Sequence, residues 1–391
     1  MTKQVDPFSK EYVADAYTLL EELRTEATVA WNEQYQTWMI LEDRAAREIL
    51  SMHNRFVVAG TVEEEVFGSD AFICVDQRAR HDAFRGVWAR TFAPTAFVQL
   101  RRDVREMALN LIDQVKAEIA EKGSCDVVPV LCRRIPSMVI AQLLGIPDEM
   151  LDRILAWSDR MGEAALAAGD PNHPAFIASE KAKGEFADFL FEMIEMRRHA
   201  PGDDLISQLV ISDIAKTVTI QEMMVNCRQL LFAGNETTAK WMANCLTVLG
   251  ERHDIRATVL ADPKLIPQTL EEIIRWDPVA QLIPRMASGE ISRIGDMEIS
   301  PGESVWIMIA ATNRDPSRYE NPHHLDIYRE QKGHLGFGFA LHNCLGIGLA
   351  RMEAAVAIEA FLEMIGDYEI IAPTEHDMFP VRGPKVVRIA V

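Results

Sequence analysis

One cysteine stands among closely spaced glycines and two histidines in the segment His334-Leu335-Gly336-Phe337-Gly338-Phe339-Ala340-Leu341-His342-Asn343-Cys344-Leu345-Gly346. A helical pattern follows directly, and the positive end of a helix dipole favours the deprotonated form of a cysteine beside it. The glycines let the backbone come close to something flat and bulky. The segment therefore predicts a metal held through a single thiolate, that of Cys344.

Two simpler interpretations compete with this one. A cysteine in an apolar segment is usually a small buried hydrophobic residue. A zinc site is disfavoured, because no second Cys or His pair with zinc spacing follows His342 and Cys344. A lone thiolate on a rigid loop is also the way in which a haem iron is held when an O–O bond is to be cleaved. We therefore favour a haem-thiolate site.

The segment resembles the haem-binding signature of cytochromes P450, Phe-Gly-x-Gly-x-His-x-Cys-x-Gly. It matches at Phe337, Gly338, His342, Cys344 and Gly346, and it departs at position 340, where alanine replaces the usual glycine. The resemblance implies a cytochrome P450 fold, mainly α with a small β region. It also implies haem b (iron protoporphyrin IX) as the cofactor, bound by this loop with Cys344 as the axial ligand of the iron.

A long helix is predicted from a capping box, Thr219-Ile220-Gln221-Glu222, to about Glu251. Its middle reads Ala233-Gly234-Asn235-Glu236-Thr237-Thr238. Glycine and threonine are poor helix formers, and a threonine hydroxyl can capture an upstream carbonyl, so we expect a bend here. Charged residues along the helix exclude a membrane span.

This second segment resembles the oxygen-binding motif of the same family, Ala-Gly-x-Asp/Glu-Thr-Thr, without departure. The resemblance implies that Thr237 hydrogen-bonds dioxygen or its water, and that Glu236 relays protons inward. Such a reaction needs protons delivered into a site that otherwise excludes water. Glu236 and Thr237 are therefore the predicted catalytic residues.

Glu272 and Arg275 lie three residues apart and so share a helix face. By itself this spacing is typical of an exposed ion pair of small value. The pair also matches the Glu-x-x-Arg motif of the family. In the family this pair has an arginine partner from another segment, here Arg329, which follows Asn313-Arg314-Asp315-Pro316. The resemblance implies a buried network behind the haem that positions the loop of Cys344.

His81 and Arg85 open a helix and face one way. Alone, the pair reads as a solvated helix face. The resemblance implies that both bind the haem propionates, together with Arg285 and His342. Several charge-assisted contacts would neutralise the two carboxylates and fix the porphyrin.

The composition sets broad limits. The chain has 391 residues, 48% of them hydrophobic, and a formal net charge of −19, which disfavours a nucleic-acid partner. Its six cysteines form no CxxC pair, which predicts a reduced, cytoplasmic protein. The N-terminus lacks the apolar region of a signal peptide, and no apolar stretch is long enough to span a membrane. We expect a single domain over residues 1–391, like the bacterial members of the family.

Periodicity predicts the following elements. The helices cover residues 12–25, 44–51, 100–122, 148–168 and 178–198, with loops at 169–174 and 200–203. Strands 27–31 and 37–41 form one hairpin, strands 297–299 and 305–309 form another around Pro301-Gly302, and the last strands cover 368–371 and 386–391.

The resemblance implies a monooxygenase that activates O2 and inserts one oxygen atom into a small-to-medium apolar organic substrate. Electrons would come from a ferredoxin, or a flavodoxin, and its NAD(P)H-dependent reductase. An acidic ferredoxin would dock on a basic face near Arg85, Arg90, Lys332 and Arg351.

The substrate pocket is placed by position relative to these motifs. Its expected members are Phe72, Gln229, Phe232, Ala233, Leu282 and Ile283, and residues 57–73 should form a variable lid. Three alternatives remain open: a peroxide-driven or rearranging P450, a haem-thiolate binding protein without turnover, and a haem-free helical protein.

Overall fold

The fold is known from a computed structural model that describes residues 3–162, 172–372, 374–376 and 380–391. It is mainly helical, as predicted. Within the described residues the α-helices are α1 (Lys10–Glu26), α2 (Asp43–Ser51), α3 (Val62–Phe67), α4 (Arg78–Trp88), α5 (Phe97–Lys122), α6 (Arg134–Leu144), α7 (Leu151–Gly162), α8 (Pro174–His199), α9 (Leu205–Ile211), α10 (Ile220–Glu251), α11 (His253–Ala261), α12 (Ile266–Trp276), α13 (Ile309–Thr312) and α14 (Ile347–Met364).

The strands are short, and most lie before residue 58 or after residue 281. They are β1 (Val29–Asn32), β2 (Thr37–Ile40), β3 (Phe56–Val57), β4 (Cys125–Asp126), β5 (Leu282–Ala287), β6 (Ser292–Ile294), β7 (Met297–Ile299), β8 (Ser304–Met308), β9 (Glu369–Ile370) and β10 (Arg388–Ala390). The largest sheet has the order β1-β2-β8-β5-β3, with β2 and β8 parallel. A second sheet has the order β4-β10-β9, and β6 pairs with β7 alone.

Most predicted elements are confirmed with small changes of boundary. The helices predicted at 12–25, 44–51, 100–122 and 178–198 are α1, α2, α5 and α8, and the first hairpin is β1–β2 with Val29 opposite Ile40. The helix predicted at 148–168 begins as a 3₁₀ turn and continues as α7 to Gly162. Its remainder, and residues 169–171 of the predicted loop, lie outside the described residues. Residue 174, predicted as loop, is instead the first residue of α8.

The second predicted hairpin is wrong. Strand β7 pairs with β6, whereas β8 pairs with β2 and β5 in the large sheet. Pro301-Gly302 does form a turn, with Gly302 at φ +87°, but this turn joins two sheets. The local turn signal was correct, and the pairing was decided by Val305 and Ile307, which are buried in the core of the large sheet.

Helix α10 runs through the centre of the molecule and organises the site. Its capping box forms as predicted: Thr219 Oγ1 accepts the Glu222 N–H at 3.1 Å, and the Glu222 carboxylate accepts the Thr219 N–H at 2.7 Å. The helix stays continuous through residues 233–238, so the predicted bend does not interrupt it. Most of its C-terminal half is buried, which holds it rigidly against α6, α12 and α14. Among the described residues, no helix is long and apolar enough to cross a membrane.

Candidate active site

The loop that carries Cys344 closes on itself just before α14. The Cys344 N–H donates to the carbonyl of Phe337 at 2.8 Å. Gly338 has φ +74°, and a Cβ atom there would lie 3.1 Å from the carbonyl oxygen of His342. Glycine is therefore required at position 338 by both conformation and space.

Ala340, which replaces the glycine of the family signature, is also left-handed, with φ +57°. This conformation costs an L-residue about 1–2 kcal/mol. The departure thus places local strain in the loop at this position. It explains in physical terms why glycine is usual there.

The sulfur of Cys344 faces hydrogen-bond donors. Burial raises the pKa of the Cys344 thiol, while the backbone N–H groups of Gly346 and Ile347 and the charges of Arg85 and Arg351 act in the opposite direction. Arg85 also fixes the loop directly, because its guanidinium donates to the carbonyl of Asn343 at 2.7 Å. A buried thiolate in this position calls for a cationic partner such as a metal.

Helix α10 presents an open surface at the residues of the second motif. Ala233 and Thr237, one turn apart, are exposed although their helix is otherwise largely buried. One turn further on, Trp241 makes an edge-to-face contact with Phe337 at 5.6 Å between ring centroids. This contact, which the sequence analysis missed, seats the Cys344 loop beside the open surface of α10.

The two predicted catalytic residues occupy the same part of α10. The Thr237 hydroxyl donates to the Ala233 carbonyl at 2.9 Å, which is the carbonyl capture that the sequence suggested. Glu236 forms an ion pair with Lys240 at 2.8 Å, and Lys240 Nζ also donates to the carbonyl of Val381 at 3.0 Å. The carboxylate of Glu236 is thereby held next to Thr237 while remaining partly open to solvent.

Two of the predicted propionate ligands are buried imidazoles. The rings of His81 and His342 lie 5.0 Å apart, centroid to centroid. His81 Nε2 and both ring nitrogens of His342 are buried without a hydrogen-bond partner among the described residues. Burial is the largest cause of the lowered pKa of both side chains, and together with nearby charges such as that of Arg285 it brings the pKa of His342 to about 3. Neutral imidazoles with unpaired nitrogens are suited to hydrogen-bond carboxylates of a ligand.

Arg285, another predicted propionate ligand, is buried in β5 beside two acidic groups that the sequence analysis did not place there. Its guanidinium lies 3.5 Å from the carboxylate of Glu63, in α3. Asp76 lies 3.9 Å from His342 and accepts the N–H groups of Val58 and Ala59. The run of acidic residues in α3 is visible in the sequence, but its contact with a strand more than 200 residues later is not.

The predicted Glu–Arg–Arg network is formed and buried. Glu272 accepts from Arg275 Nε and Nη2, both at 2.7 Å, and from Arg329 Nε at 3.0 Å. Arg275 Nη1 donates in turn to the carbonyl of Asn313 at 2.8 Å, and the Asn313 amide oxygen accepts the Leu335 N–H at 2.8 Å. The network therefore reaches the start of the Cys344 loop.

The predicted pocket residues differ in position. Ala233 is exposed, Phe232 and Ile283 are half-buried, and Gln229 and Leu282 are buried. The Phe232 ring contacts Phe67 of α3, with centroids 5.7 Å apart. Phe72 packs against His81 and Trp88, at 5.7 and 5.9 Å. The residues predicted as lid therefore do lie against α10.

These observations fit a haem. A buried thiol faces two backbone N–H groups, two imidazoles with unpaired nitrogens lie near Arg285 on one side, and α10 offers an open surface. Among the described residues, no group of three or more His, Cys, Asp and Glu side chains is placed to hold a metal ion without such a cofactor. The fold and site together define a protein built to bind a haem through one cysteine.

Comparisons with known proteins agree. The family model described as Cytochrome P450 matches residues 19–365. The chain is 30% identical to the cytochrome P450 monooxygenase PikC of Streptomyces venezuelae, covering 97% of this chain and 92% of that one. It is 33% identical to the mycinamicin IV hydroxylase/epoxidase of Micromonospora griseorubida, covering 73% and 70%. The crystal structure of CYP109E1 from Bacillus megaterium in complex with testosterone matches with a TM-score of 0.84 at 26% identity, covering 96% and 99%.

The chain belongs to the cytochrome P450 family, and it is a P450 monooxygenase. The fold class predicted from the sequence is confirmed.

Proposed function

We propose that this protein is an O2-dependent monooxygenase that inserts one oxygen atom into a small-to-medium apolar organic substrate, with haem b held by Cys344. The observation that carries the proposal is the open face of α10 at Ala233 and Thr237, seated beside the Cys344 loop through the contact of Trp241 with Phe337. The haem supplies the binding and reductive cleavage of O2, which thiolate ligation favours. The chain positions the substrate, excludes water from the site and delivers protons.

Cofactor binding is assigned to two groups of residues. Phe337, Cys344 and Gly346 in the loop are assigned to the side of the haem on which Cys344 would bind the iron. The Gly346 N–H faces the Cys344 sulfur, and Phe337 packs against Trp241. The propionates are assigned to His81, Arg85, Arg285 and His342. The unpaired imidazole nitrogens support this assignment most directly, since a carboxylate would satisfy them.

Proton delivery is assigned to Glu236 and Thr237. Glu236 is partly exposed and ion-paired with Lys240, so it can take up a proton from solvent and pass it inward. The Thr237 hydroxyl holds the next position, where its bond to the Ala233 carbonyl fixes its orientation. This intact pair favours an O2-dependent enzyme over the peroxide-driven or rearranging alternatives, which would not need it.

The substrate pocket is assigned to Phe72, Gln229, Phe232, Ala233, Leu282 and Ile283. Five of these six side chains are apolar, which supports an apolar substrate. The relative at 26% identity that was solved in complex with testosterone supports an apolar ligand.

The electron donor is assigned as a ferredoxin, or a flavodoxin, with its NAD(P)H-dependent reductase. The docking face would include Arg85, Arg90, Lys332 and Arg351. Arg90 is exposed without an ion pair among the described residues, whereas Arg351 already pairs with Glu271 at 2.9 Å. Arg90→Glu should therefore slow reduction by an acidic ferredoxin and leave reduction by dithionite unchanged. Equal rates of reduction by ferredoxin in the wild type and the Arg90→Glu variant would contradict this docking face.

The cytoplasmic location stays a prediction.

One optical experiment tests the central proposal. The purified protein should show a Soret band and a thiolate-type ferrous–CO band, and terpenoids, fatty acids or steroids that displace water from the haem should raise its high-spin fraction. Turnover with NAD(P)H and redox partners should then give an oxygenated product. A protein without a Soret band would refute the haem assignment. A thiolate spectrum without turnover under any electron supply would instead favour a non-catalytic binding protein.

A further inference from the structure

His334, the first of the two histidines in the Cys344 loop, is bonded differently from His342. Its side chain is only 3% exposed, and both of its ring nitrogens have partners within the protein. The Gly336 N–H donates to Nδ1 at 3.0 Å, and Nε2 lies 3.0 Å from Glu271 Oε1. His342 has both ring nitrogens buried without a hydrogen-bond partner among the described residues. The task of His334 therefore lies within the chain itself.

The two bonds of His334 fix its tautomer. A ring nitrogen that accepts a hydrogen bond carries no proton, so the proton of the neutral ring is on Nε2, which donates to Glu271. Burial by itself would raise the pKa of Glu271, but hydrogen bonds from His334 and Arg351 outweigh it and hold that pKa at about 2. Glu271 is thus a carboxylate that orients the imidazole toward Gly336.

Position 336 is shaped for this imidazole. A Cβ atom at Gly336 would lie 3.0 Å from His334 Nδ1 and 3.4 Å from the carbonyl oxygen of Ile274. Gly336 is not among the glycines with positive φ. The close approach of the ring, and not an unusual backbone conformation, therefore favours glycine here.

Glu271 joins this contact to the surface of the molecule. Arg351 Nε donates to Glu271 Oε2 at 2.9 Å, and Arg351 Nη2 donates to Glu271 Oε1. The exposed fraction of the side chain rises from 3% at His334 to 15% at Glu271 and 47% at Arg351. The ring of Phe337 lies 5.8 Å from that of His334 and 5.2 Å from the Arg351 guanidinium. These three residues therefore form a chain of contacts from the surface to the loop.

The chain of contacts ends at the backbone that holds Cys344. Gly336 precedes Phe337, whose carbonyl accepts the Cys344 N–H at 2.8 Å. A displacement at Gly336 therefore moves the acceptor that fixes Cys344, and with it the approach of the Gly346 and Ile347 N–H groups to the sulfur. Contacts of this kind around a metal-bound sulfur tune the reduction potential of the metal.

The Glu272 network does not replace these contacts. It reaches the loop one residue earlier, because the Leu335 N–H donates to the amide oxygen of Asn313 at 2.8 Å. Glu271 and Glu272 are neighbours in α12, and adjacent helix residues do not share a face. The N–H groups of Leu335 and Gly336 are thus held by separate side chains, and either can be altered alone.

We infer that His334 and Glu271 are positioning residues that hold Gly336 and thereby set the reduction potential of a haem bound through Cys344. This inference rests on the proposed function and deepens it, because the potential governs the uptake of the first electron. Without the bond to Gly336, the N–H groups at the sulfur should loosen, and the thiolate should donate more strongly to the iron. The potential should then fall.

Two substitutions separate the two bonds of His334. His334→Leu keeps a side chain of similar size and loses both bonds. His334→Asn places an amide oxygen where Nδ1 stands, and so keeps an acceptor for the Gly336 N–H, but the side chain is too short to reach Glu271. The control is His253→Leu in α11, because His253 pairs with Glu369 only at 3.8 Å and is 58% exposed. Midpoint potentials of the haem-loaded proteins are measured by optical redox titration.

His334→Leu should shift the midpoint potential to lower values, and His334→Asn should recover part of this shift but not all. His253→Leu should keep the wild-type potential. Glu271→Gln should shift the potential by different amounts in the wild-type and His334→Leu backgrounds, because without the imidazole only the lost charge acts. Equal shifts in the two backgrounds would remove Glu271 from the inference.

The tautomer of His334 is tested in the wild type itself. In the diamagnetic ferrous–CO protein with isotope-labelled histidine, nitrogen NMR should show the His334 proton on Nε2, the signal being assigned by its absence from His334→Asn. A proton on Nδ1 would overturn the inference, as would a wild-type potential in His334→Leu or an equal shift in His334→Leu and His334→Asn. If His334→Leu binds no haem, an unchanged potential in His334→Asn would overturn it. A wild type without a thiolate-type ferrous–CO band would refute the proposed function instead.

Discussion

Replacing Glu272 by glutamine should destabilise the protein far more than any exposed Glu→Gln change. Glu272 is fully buried, and so is its partner Arg275, at 0% and 1% side-chain exposure. The carboxylate accepts four hydrogen bonds: two from Arg275, one from Arg329 and one from the Asp326 N–H at 3.1 Å. Glutamine keeps the shape of the side chain and removes its charge.

The magnitude follows from these contacts. A glutamine amide must turn its NH2 group toward one side of the site, where it would face at least one guanidinium N–H. At least one charge-assisted bond is then lost, worth about 1.5–3 kcal/mol. Arg275 and Arg329 also lose their counter-charge, and breaking a buried pair in this way typically costs about 3–5 kcal/mol. We expect the free energy of unfolding to fall by about 3–5 kcal/mol.

A matched control exists in α8. Glu195 and Arg198 have the same spacing, and their ion pair at 2.8 Å is similar in length, but both side chains are more than one-third exposed. Glu195→Gln should cost under about 1 kcal/mol. Urea unfolding followed by far-UV circular dichroism measures both variants, and the Soret band reports whether the Cys344 loop keeps its haem. If Glu272→Gln cost no more than Glu195→Gln, the argument that burial makes this network essential would be refuted.

Four further changes test other parts of the site. Thr237→Ala should lower product formed per NAD(P)H by roughly tenfold or more and raise hydrogen peroxide release, and unchanged coupling would remove Thr237 from proton delivery. Cys344→His should lose the thiolate-type ferrous–CO band, and its retention would refute the ligand assignment. Ala340→Gly should raise the free energy of unfolding by about 0.5–1 kcal/mol, because relief of the left-handed strain exceeds the added chain entropy of glycine; a decrease would contradict the strain. Burial raises the pKa of Glu353 to about 8, so the folded protein holds this proton more tightly than the unfolded chain and loses stability as pH rises from about 4.5 to about 8. Glu353→Gln should therefore be more stable than the wild type by on the order of 1–3 kcal/mol at pH about 8 but not at pH about 5. Urea titrations at several pH values measure the free energy of unfolding of both proteins, and the same pH dependence in both would show that Glu353 is not responsible.

The parts of the site that the sequence predicted well are those in which short segments have strict local demands. The Cys344 loop needs a left-handed residue at position 338, and only glycine satisfies it without strain. The capping box of α10 and the Glu272–Arg275 spacing are equally local, since each joins residues three apart. Such features depend on backbone geometry within one turn, and therefore they can be read before the fold is known.

The parts that the sequence did not predict depend on contacts between distant segments. Strand β8 was assigned to the wrong partner because the Pro301-Gly302 turn specifies a reversal of the chain but not which strand accepts the hydrogen bonds. The ion pair of Arg285 with Glu63 joins residues of β5 and α3, and neither residue type nor spacing indicates it. The contact of Trp241 with Phe337 is invisible for the same reason.

Unsatisfied polar groups connect the predictable and unpredictable halves of the site. His81 and His342 have buried ring nitrogens without a hydrogen-bond partner among the described residues, and both Arg285 and Asp76 lie near His342. We expect a carboxylate of a bound ligand to satisfy these nitrogens, and in the proposal made above it is a haem propionate. The two imidazoles could be found from the sequence because both stand in segments that match motifs of the family. The residues that the proposal assigns to the cofactor are therefore readable from short motifs, whereas the contacts that hold them in place, such as that of Arg285 with Glu63, appear only in the fold.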